Sequence, residues 1–69
     1  MNQHERIIKY INDFGSISPY EAFSDLGITK LATRISEMRK DGLEFGQRME
    51  YGKNRYGEKT HYMRYYKGE

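Results

Sequence analysis

The sequence predicts an α+β fold of three helices followed by a long β-hairpin. Two observations carry this. Apolar residues recur at helical spacing in three segments, each followed by a glycine, and beyond Gly42 the period changes from 3.6 to 2. A polar, glycine-bounded stretch, residues 52–59, then separates two strand-like runs. At 69 residues the chain makes one domain, residues 1–69.

The first helix is predicted over Gln3 to Phe14. Ile7, Ile8, Ile11 and Phe14 share one face, and Gly15 supplies the stop. Ser16 and Ile17 fit a short strand. Ser18, Pro19 and Glu21 then form an N-cap, a proline at the first helical position and a capping box. The short second helix turns Ala22, Phe23 and Leu26 inward and ends at Gly27. Thr29 is the expected N-cap of a third helix, Lys30 to Asp41, with Leu31, Ile35 and Met38 inward, Ala32 beside them and Gly42 closing it. In the first strand Leu43, Phe45, Gln47 and Met49 share a face. Thr60 to Lys67 form the second strand, and the loop between them is expected to be long, projecting and mobile.

Composition bounds the function. Leu, Ile, Val and Phe supply 12 of 69 residues, under the roughly 20% that signals disorder when net charge is also high, but net charge is only +2 and seven Tyr and four Met add apolar area. A thin, marginally stable core is expected. The absence of cysteine removes disulfides, thiolate metal sites and a Cys nucleophile, and points to a reducing cytoplasm. No segment reads as a membrane span or signal peptide. His4 and His61 stand far apart, no carboxylate pair suggests acid–base work, and GKNRYG lacks Walker spacing. No enzyme activity, cofactor or metal is expected.

Charge is unevenly distributed. Residues 29–40 carry +3 and residues 51–67 carry +4, which leaves the rest of a +2 chain at −5. Part of the hairpin charge suits protection of an exposed strand edge. Five of the seven tyrosines lie in the last 19 residues. Cross-strand packing accounts for them better than stacking on unpaired bases, and Tyr62, Tyr65 or Tyr66 also suit a dimer interface.

The order and spacing of Ile7-Ile8-x-Tyr10-Ile11, Gly15-Ser16-Ile17-Ser18-Pro19-x-Glu21-Ala22, Leu26-Gly27-Ile28, Leu31-Ala32-Thr33-Arg34-Ile35-Ser36-x-Met38-Arg39-Lys40-x-Gly42 and Lys53-Asn54-Arg55-Tyr56-Gly57 resemble a winged helix–turn–helix domain. The nearest likeness is to small helix–turn–helix proteins of bacteriophages and prophages. The resemblance spans Glu5 to Tyr66 and implies sequence-specific binding of double-stranded DNA, in transcription control or a phage DNA transaction, inside a bacterial host cell. It makes the third helix a recognition helix with Thr29, Lys30, Thr33, Arg34, Glu37 and Lys40 outward. Lys30, Thr33 and Arg34 would read base edges, with Glu37 reading a cytosine amine or orienting Arg34. The wing would use Lys53, Asn54, Arg55 and Lys59, with Arg55 in a minor groove and the lysines on phosphates. Arg39 either clamps a phosphate or pairs with Asp13 or Asp25. The acidic surface at Asp13, Glu21 and Asp25 would face away from DNA. A monomer or weak homodimer that pairs on DNA is expected, through either the apolar–aromatic N-terminal helix or the Tyr-rich last strand. The competing function is a protein-interaction module on the same fold, such as a phage protein that inhibits a host factor.

Overall fold

The computed structural model describes residues 1–68. The elements are α1 (Gln3–Phe14), β1 (Ser16–Ile17), α2 (Pro19–Leu26), α3 (Leu31–Lys40), β2 (Phe45–Lys53) and β3 (Lys59–Lys67). Asn2 caps α1 by accepting from the Glu5 backbone N–H at 2.8 Å. The capping box of α2 is complete: Ser18 Oγ accepts from the Glu21 N–H, and Glu21 Oε1 accepts from the Ser18 N–H at 2.9 Å. Gly27 then takes φ 69°, a left-handed conformation that side-chain-bearing residues avoid. The Ile28 N–H reaches back to the Ala22 carbonyl, and the turn delivers the Ile28 side chain into the core.

Helix α3 starts one residue later than the sequence suggests. Its N-cap is Lys30, not Thr29, and no side chain caps it. Lysine has no acceptor to offer an orphan N–H. The helix ends at Lys40, and Gly42 takes the left-handed turn at φ 99°.

Ile7, Ile11, Ile17, Ala22, Ile28, Leu31, Ile35, Met38 and Tyr65 form the core, flanked by Ile8, Tyr10, Leu26, Phe45 and Met63. Every element except β2 places a residue in the fully buried set. Phe14 and Phe23, expected inward, are 71% and 60% exposed, and Ala32, Leu43, Gln47 and Met49 also lie at the surface. Nine core residues, five of them isoleucine, close the interior without the two phenylalanines. Phe14 instead stacks on Tyr10, ring centroids 4.6 Å apart.

The sheet order is β1-β3-β2, all antiparallel. Ser16 and Ile17 pair with Tyr66 and Tyr65, so the third strand covers only the base of the hairpin. Gly46 lies opposite Tyr66, whose ring occupies the space a Cβ at position 46 would take. Strands of nine residues run about 30 Å. The molecule measures 39 × 23 × 21 Å, so the distal hairpin overhangs the helical body.

Candidate nucleic-acid interface

On a helix each residue turns about 100°. With Leu31, Ile35 and Met38 buried, that rotation points Thr33, Ser36 and Lys40 directly away from the core, and sets Arg34 and Arg39 on opposite flanks. Lys30, Ala32, Thr33, Ser36, Arg39 and Lys40 are exposed, while Arg34 and Glu37 are half-buried. The small residues Ala32 and Ser36 on this face were missed by sequence reasoning. Rotating from the core positions would have found them.

Arg34 lies back along its helix. Its Nη1 donates to Glu37 Oε1 at 3.0 Å, and the same oxygen meets His4 Nε2 at 2.9 Å. These contacts hold the Glu37 carboxyl below the usual range; the His4 hydrogen bond is the largest cause and the Arg34 charge adds to it. Of the two roles expected for Glu37, the geometry matches orientation of Arg34. Arg34 Nε is buried without an acceptor, so its current hydrogen bonding is incomplete. His4 comes from the start of α1, 33 residues away, a separation no local pattern reveals.

Arg39 pairs with neither Asp13 nor Asp25. Its Nη2 donates to the Phe45 carbonyl at 2.9 Å and to Gln47 Oε1 at 3.0 Å, and the guanidinium lies 5.9 Å from the Tyr65 ring centroid. It ties the end of α3 to the root of the hairpin. Asp13 instead accepts from Lys9, and Asp25 from the Tyr10 hydroxyl at 2.7 Å. That bond pushes the Tyr10 pKa up from 10.0 to about 12.

The wing is tighter than the sequence suggests. Pairing continues to Lys53–Lys59, and a short turn joins the strands. Asn54 Oδ1 accepts from the Tyr56 and Glu58 N–H groups, its Nδ2 donates to Glu58, and Gly57 takes φ 78°. The long loop is thus corrected to a short hydrogen-bonded turn, and the Asn54 side chain is occupied in building it. Arg55 and Tyr56 project from the tip, Tyr56 at 83% exposure. Lys53 and Lys59 stand directly opposite each other. Like charges so placed repel, and a bound anion would relieve that cost.

Arg64, counted with the wing cations, does not belong to that surface. Its Nε donates to Glu50 Oε1 at 2.7 Å, and its Nη1 donates to Glu21 Oε1 at 2.7 Å and to Ser16 Oγ at 3.1 Å. The Glu50 hydrogen bond is the largest cause of both a raised Arg64 pKa and a lowered Glu50 pKa. Glu21 thereby both caps α2 and anchors the hairpin.

Of the twelve lysines and arginines, Lys9, Arg34, Arg48 and Arg64 form ion pairs. Among the described residues the other eight, Arg6, Lys30, Arg39, Lys40, Lys53, Arg55, Lys59 and Lys67, have no carboxylate within 4.0 Å. Six of these eight lie on α3 with its N-cap or at the wing end; Arg6 stands on α1 and Lys67 at the root of the hairpin. No group of three or more metal-ligating residues occurs among the described residues, and no helix there is long and apolar enough to cross a membrane.

A family model described as a winged helix-turn-helix domain matches residues 2–66. No curated protein and no solved structure matches the chain.

Proposed function

The chain belongs to the winged helix-turn-helix domain family, and on that premise we propose that it binds double-stranded DNA in a sequence-dependent manner. The observation that carries this reading is that, of the eight cations without a carboxylate partner among the described residues, six gather on α3 with its N-cap and the wing end. Six positive charges without a neutralising carboxylate, gathered on two neighbouring elements, make an electrostatic footprint for a polyanion.

In this reading α3 enters the major groove. Thr33, Ser36 and the small Ala32 permit close approach, Lys30 and Lys40 meet phosphates, and Arg34 swings from Glu37 to a guanine edge, satisfying its unpaired Nε. Arg55 at the wing tip enters the adjacent minor groove, with Lys53 and Lys59 on the flanking backbone. The protein would act in transcription control or a phage DNA transaction in the bacterial cytoplasm.

Selection of bound sequences from a random duplex pool tests the reading. A recovered motif supports it, and retention of no DNA even at low salt contradicts it and favours the protein-interaction alternative.

A further inference from the structure

A groove of about 590 Å³ lies on the outer face of α1, remote in sequence from α3 and the wing. Met1, Arg6, Tyr10, Asp13, Phe14 and Leu26 line it, together with Lys9 and Asp25. Phe14 is 71% and Met1 69% exposed, so an aromatic ring and a thioether stand in water beside it. Ile7 and Ile11 face the core, which leaves Arg6, Lys9 and Asp13 exposed at helical spacing, with half-buried Tyr10 beside them.

The charges on this stripe have a direction. Cations (Arg6, Lys9) occupy its N-terminal half, and a carboxylate (Asp13) its C-terminal half. Lys9 bonds Asp13 within the helix, whereas Arg6 has no side-chain partner among the described residues. A charge ladder of this kind is self-complementary when two copies run antiparallel. A two-fold axis near residues 9 and 10 sets Arg6 of one copy opposite Asp13 of the other, twice, and lays Phe14 over the Met1 end of its mate.

We infer that α1 is a homodimer surface, on which two copies pack antiparallel through Arg6, Tyr10, Asp13 and Phe14. A helix of 12 residues is about 18 Å long and about 10 Å wide. Such a contact buries less than the roughly 1,000 Å² that a stable interface needs. The dimer is therefore weak and forms only at high protein concentration. Of the β3 tyrosines, Tyr65 is buried within the domain and Tyr66 is half-buried, while Tyr62 is exposed.

The test is sedimentation equilibrium without DNA, from micromolar to millimolar protein, so its outcome is separate from that of the DNA-binding reading. Wild type should show a concentration-dependent monomer–dimer equilibrium. Arg6→Asp and Asp13→Arg should each weaken association by roughly tenfold, because the symmetric interface repeats each repulsion. The double reversal should recover most of the loss. Phe14→Ala, at an exposed site, should weaken association with an unchanged melting temperature. A strict monomer at millimolar concentration would overturn the inference and leave the groove to another occupant. A dimer indifferent to these substitutions would overturn it too, by placing the interface elsewhere.

Discussion

At Arg34 the recognition helix holds a cation against Glu37 while one guanidinium nitrogen lacks an acceptor. A side chain in this state is poised to exchange one acceptor for another. Arg34→Ala should cost about 1–3 kcal/mol at the preferred site and relax the preference at one base pair. Binding titrations on specific and random duplexes check this, and equal losses on both would reduce Arg34 to a phosphate contact. Tyr10 allows a second test with no DNA present. Its hydroxyl donates to Asp25, so the neutral form is favoured in the fold and ionisation is delayed to about pH 12. The stability this contributes is fully present below about pH 10 and is lost as pH rises from there through about 12. Alkaline titration of tyrosinate absorbance should show one tyrosine ionising late, and Tyr10→Phe should remove that step.

At the scale of elements, the Arg64 cluster joins α2, β1 and the hairpin. Its side chain is only 16% exposed, so removing it strands two carboxylates, Glu21 and Glu50, near one another. Arg64→Ala should therefore cost about 1–3 kcal/mol, checked by denaturant melts. Little of this cluster was legible in the sequence, because its members lie 14 to 48 residues apart. By contrast, local signals were read well. The capping box at Ser18 and Glu21, the strand at Ser16–Ile17 and the change of period after Gly42 all follow from neighbours in the chain. Phe14 and Phe23 were misplaced for a related reason. Helical spacing says which residues share a stripe, but not how wide a stripe the partner elements can cover. The wing turn was read as loose because Asn54 looks like a polar loop residue until its three hydrogen bonds are seen.

For the molecule as a whole, acid should destabilise the fold. Glu37 and Glu50 both lie below the usual Glu range in the native state, held there by His4 and by Arg64. A carboxyl depressed on folding contributes stability that is present above its unfolded value, about 4.3, and lost as pH falls through the native one. Melting temperature should thus fall on acidification below about pH 4.5, and Glu37→Gln with Glu50→Gln should flatten that dependence. A charge-neutral double variant with the same acid lability as wild type would show that other groups govern it.

The same scale holds the charge distribution: of the eight cations without a carboxylate partner among the described residues, six stand on α3 with its N-cap and the wing end. The most direct test is the salt dependence of duplex binding, measured by fluorescence anisotropy for wild type and for the triple variant Lys53→Ala, Arg55→Ala, Lys59→Ala. Wild type should give a steep negative slope of log K against log salt. The variant should bind all sequences more weakly, with a slope shallower by about 0.9 for each phosphate contact removed. An identical slope in the two proteins, or no binding by wild type at the lowest salt, would contradict the account.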